Sequence, residues 1–335
     1  MVTSRRWLVL GLVCFLVAKC TPPTTFAQAV SKDDPSVSKD GRNASGAESP
    51  PLILMIAGRP SHGFGAHEHY AGLKLLEESI ARNKPPVRVK VVKGWPEDAD
   101  LVDRAKSIVI FCDGGKRHVA MPHRDRIRQK LKTGGGLVAI HYATEMLPGE
   151  SGDDWVELLG GHFEVHRSVN PHWIADFTQL PKHPVANGVK PFKTDDEWYF
   201  NLRFSDSGKL TPILQAVAPE QTMRRKDGPH SGNPDVRKKV QRGDLHTVAW
   251  AYEPEFGGRA FGITGGHHHW NWSNPNMNRV VTNGVLWTAG VEIAPSGSTL
   301  PTIGMDDLLE NQDYPKPEKV NLDAIRAKFE IAAED

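Results

Sequence analysis

Short apolar runs alternate with amphipathic stretches from residue 52 onwards, and this alternation predicts an α/β domain. Runs rich in Val, Ile and Leu predict four buried strands, at residues 52–57, 87–92, 107–112 and 137–141. Residues 68–82 and 122–132 carry apolar positions at helical spacing and predict two helices between them. Strand, helix and strand in succession predict a parallel sheet with helices on both faces.

The alternation changes after a further predicted helix at residues 153–159. Four strand-like runs follow, at residues 173–178, 211–217, 245–252 and 259–264. A loop-rich segment at 219–242 interrupts them, and residues 276–288 predict a closing helix. We therefore predict one α/β domain over residues 51–295 with a β-rich elaboration. The polar tail at 296–335 contains two short helical segments, at 306–311 and 322–329, and we expect it to wrap the domain rather than serve as a docking segment.

Residues 1–29 predict an export signal. An arginine pair at 5–6 precedes an uncharged apolar stretch of 12 residues, and Ala-Gln-Ala at 27–29 fits cleavage by signal peptidase. Because a membrane-spanning helix needs about 20 apolar residues, we expect export to the periplasm or beyond without stable membrane insertion. The arginine pair and Lys19 are also typical of twin-arginine signals, so the general secretory and twin-arginine routes both stay open.

Composition and charge exclude several classes of protein. The 41 basic residues balance 40 acidic ones, which is not the signature of a nucleic-acid-binding protein, and we expect a neutral small molecule as partner. Residues 30–50 are too polar to bury a core and predict a flexible linker. Removal of the signal leaves Cys112 as the only thiol of the sequence, so no intrachain disulfide is expected.

Histidine is the residue type that points to chemistry. All 15 histidines lie between His62 and His269, and several follow glycines at the ends of predicted strands. Ligands bind at the carboxyl ends of strands in an open α/β sheet, because the loops converge there. Imidazole is the commonest metal ligand and titrates near neutrality, so these residues suit either a metal site or acid/base catalysis. His141 and His267 lie at strand ends, which favours a functional role for both.

The other histidines have a competing interpretation as hydrogen-bonded structural groups. Both interpretations stay open for three of them, His162, His166 and His183. His67 and His69 are expected to flank the start of a helix. Five more are expected to be solvated or structural, namely His118, His123, His172, His230 and His246.

Cys112 and four aromatic residues also have competing interpretations. Cys112 ends a predicted strand without an adjacent base, so we expect a buried small side chain rather than a nucleophile. The aromatic residues Trp198, Tyr199, Trp270 and Trp272 either form a platform for the apolar face of a sugar or pack in the core.

Five motifs resemble the ThuA-like (trehalose utilisation) family. They are AGRPSHG at 57–63, GGLVAIH at 135–141, GGHF at 160–163, DEWY at 196–199 and GGHHHW at 265–270. The resemblance spans about residues 52–292 and implies the flavodoxin-like fold of the class I glutamine amidotransferases. Those enzymes carry a nucleophilic cysteine on the turn after a central strand. The matching turn here, residues 140–143, has no cysteine, which disfavours glutaminase and cysteine-peptidase activity.

The resemblance also implies a role in the breakdown of a disaccharide or keto-sugar, and an association with a divalent metal ion. By position, it implies a Zn-like ion held by His141, Glu197 and His267, with His162 as a further ligand. The first three are also the expected catalytic residues. The expected sugar-binding residues are Trp198, Tyr199, Trp270 and His62, the last of which is a further candidate ligand.

Three hypotheses of different class follow. The leading one is an exported sugar-processing enzyme of hydrolase or lyase type. The alternative is a non-catalytic carbohydrate-binding or scaffold domain on the same fold, which would still hold sugar after substitution of His141 or Glu197. A redox or amidotransferase-type enzyme that uses Cys112 is the third. A separation of more than about 10 Å between His141 and His267 would exclude a shared set of ligands.

Overall fold

The computed structural model describes residues 50–332, so the predicted signal segment and all but the last residue of the predicted linker lie outside the described residues. The strands are β1 (Leu52–Ala57), β2 (Arg88–Lys93), β3 (Ala105–Phe111), β4 (Gly136–Ile140), β5 (Gly161–His162), β6 (Trp173–Phe177), β7 (Phe192–Asp196), β8 (Arg203–Phe204), β9 (Lys209–Val217), β10 (Leu245–Glu253) and β11 (Arg259–Ile263). The helices are α1 (His69–Ala81), α2 (Ala99–Arg104), α3 (Arg124–Lys132), α4 (Glu150–Leu159), α5 (Pro234–Arg242), α6 (Pro275–Thr288), α7 (Met305–Leu309) and α8 (Leu322–Phe329).

A seven-stranded sheet with the strand order β2-β1-β3-β4-β11-β10-β9 forms the centre of the fold. Every pairing among β1, β2, β3, β4 and β11 is parallel, whereas β10 runs antiparallel to both of its neighbours. Two small antiparallel sheets, β5-β8 and β6-β7, supply the predicted β-rich elaboration. This arrangement confirms the predicted α/β, flavodoxin-like fold.

Helices cover both faces of the sheet, as predicted. Every residue of β1 is buried, and its side chains divide alternately between two apolar clusters. Met55 and its alternate neighbours pack with α1 and α6. Leu54 and its alternate neighbours pack with α2, α3 and α4 on the opposite face. Continuous apolar strands are therefore stable only at the centre of such a three-layered fold.

The sequence patterns missed five of these elements, namely the two-residue strands β5 and β8 and the three elements described next. Helix α5 lies inside the segment predicted as loop. Only Val236 and Val240, one turn apart, are buried along it, so its apolar pattern is too weak to predict a helix. Strand β7 consists mostly of polar residues, so no apolar run predicts it. Buried positions nevertheless alternate along it, and Asp196 is completely buried. Helix α2 has only six residues and is capped by Asp98, whose carboxylate accepts from two backbone N–H groups.

The tail beyond the closing helix wraps the domain. Met305 and Leu308 of α7, together with Ile331, are buried in the cluster that contains α1 and α6. Along residues 50–332, no helix combines the length and the apolar character needed to cross a membrane.

Candidate metal centre

Loops from four strands converge at the carboxyl edge of the sheet. His67 lies in the loop after β1, His141 is the first residue after β4, and His267 follows β11. Glu197 is the first residue after β7. The rings of His141 and His267 lie 5.5 Å apart between centroids, well inside the limit for a shared set of ligands.

His141 lies on a strained turn. Its φ of 56° places a residue other than glycine in the left-handed region, at a cost on the order of 1 kcal/mol. Gly266, with a φ of 121°, packs against this turn, and a Cβ there would lie 3.2 Å from Ile140 Cγ2. Close packing from the β11 loop therefore supports the conformation that directs the imidazole of His141 across the edge of the sheet.

Four ligand-type atoms meet at this edge. His67 Nε2 lies 3.1 Å from His141 Nε2 and 3.0 Å from His267 Nδ1. Glu197 Oε2 lies 3.2 Å from His267 Nδ1 and 3.5 Å from His141 Nε2. At metal–ligand distances of about 2.0 Å, tetrahedral ligand atoms lie about 3.3 Å apart. The group could therefore hold a metal ion.

Hydrogen bonds at the far side of two rings support the same interpretation. His67 Nδ1 donates to Asp113 Oδ1 at 3.1 Å, and His141 Nδ1 donates to the Thr264 carbonyl at 2.7 Å. Burial, together with nearby His67 and His267, lowers the pKa of His141 well below its usual value. With Nδ1 as the donor of each ring, the neutral form of either imidazole carries a lone pair on Nε2, and a bound cation would satisfy both.

Asp113 is the ionised partner of His67. Burial raises the pKa of the Asp113 carboxyl, but hydrogen bonds from His67 and Ser61 outweigh that effect and leave the pKa well below its usual range. The Ser61 hydroxyl donates to Oδ1 at 2.8 Å, and Arg117 approaches Oδ2 at 3.3 Å. A fixed negative charge behind His67 makes its Nε2 a stronger ligand.

Glu197 is ionised as well. Burial raises its pKa, but the hydrogen bond from His267 and the surrounding histidines bring the net pKa below the usual value. The Glu197 Oε1 atom accepts from Asn170 Nδ2 at 3.0 Å, and Arg225 donates to the Asn170 oxygen at 2.8 Å. This chain of hydrogen bonds holds the carboxylate in one orientation.

A cavity of about 300 Å³ opens next to the cluster. Its walls are His62, His67, Tyr142, Glu145, Asn170, Glu197, Tyr199, Arg225 and His230. Two of these residues form a pair on the wall of the cavity, where His230 Nε2 lies 3.3 Å from Glu145 Oε1. The hydrogen bond to Glu145 raises the pKa of His230, and burial raises the pKa of Glu145 although His230 partly offsets this. The pair is therefore placed to accept or release a proton at the cavity wall.

Several sequence-predicted site residues come together here. His141, Glu197 and His267 belong to the cluster of ligand atoms. The Tyr199 hydroxyl lies 3.1 Å from His141 Nε2 and 3.3 Å from Glu197 Oε2. The ring of His62 stacks on a site histidine with a centroid distance of 3.6 Å and lines the cavity.

The structure places three other predicted residues elsewhere. Trp198 is fully buried in the core, because successive residues after β7 point to opposite sides and only Tyr199 faces the cavity. Trp270 is buried and packs against Gly65. His162 is buried outside the cluster of ligand atoms, and its Nδ1 lies 3.5 Å from the Met146 amide nitrogen. The expected roles of Trp198 and Trp270 in sugar binding, and of His162 as a ligand, are corrected accordingly.

His67 takes the place that was expected for His162. It does flank the start of α1, but its φ of 51° turns the ring back into the cluster. Its position in the loop that also holds His62 was the one signal available in the sequence. Other site residues that sequence reasoning did not assign are Asp113, Tyr142, Glu145, Asn170, Arg225 and His230.

The two remaining candidates outside the cluster behave differently. Cys112 is fully buried, as expected, and burial raises the pKa of its thiol to about 12. His172, expected to be solvated or structural, is half-exposed and lies 4.0 Å from Glu197 Oε1.

Comparison with known proteins gives a family match. The ThuA family model, described as trehalose utilisation, matches residues 54–288. A ThuA-like protein from Bacteroides uniformis is similar in structure, with a TM-score of 0.49 and 16% identity over 75% of this chain and 97% of that chain. A ThuA-like protein from Parabacteroides merdae has a TM-score of 0.48 and 12% identity over 77% and 99% of the two chains. A β-galactosidase from Bacillus circulans sp. alkalophilus has a TM-score of 0.39 and 12% identity over 73% of this chain and 32% of its own. No curated protein matches this chain.

Proposed function

This chain belongs to the ThuA family, described as trehalose utilisation, and from that premise we propose that it is an exported enzyme that cleaves a disaccharide or keto-sugar at a divalent metal centre. One observation carries the proposal. Ligand atoms of His67, His141, His267 and Glu197 all lie within 4.8 Å of one another, with four of the distances at 3.0 to 3.5 Å, beside a cavity lined by polar side chains.

The four residues of the cluster would hold the ion, and the groups behind them would keep the ligands in place. When bound, the ion supplies a Lewis acid that polarises a carbonyl or hydroxyl oxygen of the sugar. Asp113 and the Thr264 carbonyl fix two ring tautomers, so that the nitrogen lone pairs point to one place. Asn170 holds the other oxygen of Glu197 and leaves Oε2 directed at the cluster.

The Glu145–His230 pair would move the proton. In a keto-sugar, the hydrogen on the carbon beside the carbonyl is acidic, and the pair lies on the wall of the same cavity as the cluster. The pair takes that proton, the C–O bond to the leaving sugar breaks, and the leaving oxygen receives the proton from the pair. This sequence gives a lyase. Addition of water across the resulting double bond completes a hydrolysis.

The cavity limits what part of the substrate enters. Its volume of about 300 Å³ lies at the low end for small-molecule sites, which suits one sugar ring with the second ring at the rim. Arg225 and Asn170 line this cavity and would donate hydrogen bonds to the ring hydroxyls. Tyr199 would remain a hydrogen-bond donor, because burial raises its pKa well above the usual value.

Export is supported by the sequence alone. The arginine pair at 5–6, the apolar stretch after it and Ala-Gln-Ala at 27–29 favour cleavage before Val30. Fractionation of cells that produce the full chain, followed by N-terminal analysis of the exported form, tests this part. A product that keeps Met1 and stays in the cytoplasm would contradict it.

The enzymatic part is tested with protein purified without a His-affinity step. We expect stoichiometric divalent metal, turnover of trehalose or of its keto derivative, and loss of turnover in chelator. Metal with bound sugar but no turnover would instead favour the carbohydrate-binding alternative. Unchanged turnover in chelator would contradict the role of the metal.

A further inference from the structure

The segment beyond the family match reaches back to the loop that carries His67. The Gly65 backbone N–H points to both Glu68 Oε1 and Gln312 Oε1, each at 3.1 Å. The Asp313 backbone N–H donates to Glu68 Oε2 at 2.7 Å. Gln312 and Asp313 lie outside residues 54–288, the range that the family model matches.

Glu68 links the loop to this segment. Its side chain is 1% exposed, and a buried carboxylate is unfavourable unless donors surround it. One of its oxygens accepts from Gly65 within the loop, and the other accepts from Asp313. Removal of the tail would therefore leave a buried carboxylate oxygen without this donor, and the loop would rearrange to hydrate it.

The same segment contacts two more of the loops that bear ligands. Lys328 Nζ lies 2.7 Å from Asp195 Oδ2, two residues before Glu197. The ring of Phe329 packs on His268, the neighbour of His267, with a centroid distance of 5.3 Å. Three of the four ligands thus lie within two residues of a contact with the tail.

The loop has little freedom to compensate for a shift. Gly65 has a φ of 74°, and a Cβ there would lie 2.4 Å from the Trp270 ring. The His67 N–H donates to the His267 carbonyl at 3.1 Å, which couples the β1 loop to the β11 loop. Because ligand distances at a metal tolerate only about 0.2 Å, small displacements here weaken binding.

We propose that residues 305–331 form a strap that positions the ligands of the metal centre, with Gln312 and Lys328 as positioning residues. The inference rests on the proposed function for its metal, but the contacts of the strap exist without one. Met305, Leu308 and Ile331 anchor the strap in the core, and the Gln312 amide also donates to the Leu308 carbonyl at 2.8 Å. The strap thereby connects the core to the edge of the site.

The test compares two double variants of the mature chain. Gln312→Ala with Lys328→Ala removes the two polar side-chain contacts of the strap with the loops that bear ligands, whereas Gln241→Ala with Lys238→Ala makes the same changes at exposed positions of α5. We expect Zn²⁺ affinity, measured by calorimetry, to fall at least about tenfold in the first variant and to stay unchanged in the second. In metal-free protein, we expect faster hydrogen exchange at the Gly65 amide in the first variant only.

Three outcomes are informative. Equal Zn²⁺ affinity and equal exchange in the two double variants would overturn the strap. If the wild type binds no Zn²⁺, the proposed metal is contradicted. Faster exchange at Gly65 in the first double variant, with unchanged folding, would then still support the strap. A chain that ends at Gly304 provides a stronger second variant, and thermal unfolding shows whether each protein remains folded. If that shorter chain folds and binds Zn²⁺ as tightly as the wild type, the strap is also overturned.

Discussion

His67 and His141 point their Nε2 atoms at each other across 3.1 Å, while Nδ1 of each ring donates to a fixed acceptor. Neutral imidazoles in these tautomers cannot hydrogen-bond to one another, because neither Nε2 carries a proton. Their close approach is stable when a cation or a shared proton lies between them. Glu197 and His267 complete a group whose spacing fits a tetrahedral ion.

Removal of the charge behind His67 should weaken metal binding without loss of any ligand. In Asp113→Asn, the amide can present its NH₂ group to His67 Nδ1, which shifts the proton of the ring to Nε2. We expect Zn²⁺ affinity to fall about 10- to 100-fold, as for other groups that orient a ligand. Calorimetry measures this, and Asp176→Asn at an exposed ion pair on β6 is the matched control. Equal affinities in the two variants would contradict the role of Asp113.

His162 and His267 both follow glycine pairs, but their substitutions should have different effects on metal binding. His267→Ala removes a proposed ligand and should abolish tight Zn²⁺ binding, whereas His162→Ala should change the affinity by less than about threefold. His162 lies against Gly152 and the Met146 amide rather than in the cluster. Loss of tight binding in His162→Ala, with the protein still folded, would restore His162 to the set of ligands.

The sequence was sufficient for the sheet and for part of the site, and the reasons are physical. His141 and His267 were found because strands β4 and β11 are continuous apolar runs whose ends can be located. Strand β7 was not found, so the side to which Trp198 and Tyr199 point could not be assigned. The ring of His67 reaches the cluster because its backbone is in the left-handed conformation, and a periodic pattern of apolar residues does not predict such a conformation.

A second group of site residues could not be predicted from the sequence for a different reason. His230 and Arg225 lie in the loop before α5, and their position is set by backbone contacts made in the folded protein. The Asn170 N–H, for example, donates to the His230 carbonyl at 3.0 Å. Such long-range pairing between two irregular segments leaves no spacing signal in the chain.

Substitution of the acid/base pair should affect turnover and spare metal binding. In Glu145→Gln, the side chain keeps its size but no longer accepts a proton near neutral pH. We expect kcat to fall about 10² to 10⁴-fold, with Zn²⁺ affinity unchanged, because Glu145 is not among the ligand atoms. Steady-state kinetics with a keto-sugar and calorimetry measure the two effects. Loss of metal together with activity would show a structural role instead.

Stability should fall in mild acid because of buried neutral histidines away from the candidate metal centre. Burial lowers the pKa of His118 and of His246 to about 4, against about 6.5 in the unfolded chain. Between pH 6.5 and 4 the unfolded state binds more protons, so the free energy of unfolding decreases as the pH falls. Each residue contributes up to about 1.4 kcal/mol per pH unit in this window. Urea unfolding at pH 7 and pH 5 should show this loss, and His246→Leu should show a smaller one. An equal loss in the variant would contradict the assignment.

Metal content tests the central claim most directly. The mature chain, prepared without a His-affinity step, is dialysed against dilute Zn²⁺ and then against buffer, and the metal per chain is measured by mass spectrometry. We predict about one ion per chain in the wild type and almost none in His67→Ala, with both proteins folded. Absence of bound metal in the wild type, or equal metal in the two proteins, would contradict the account.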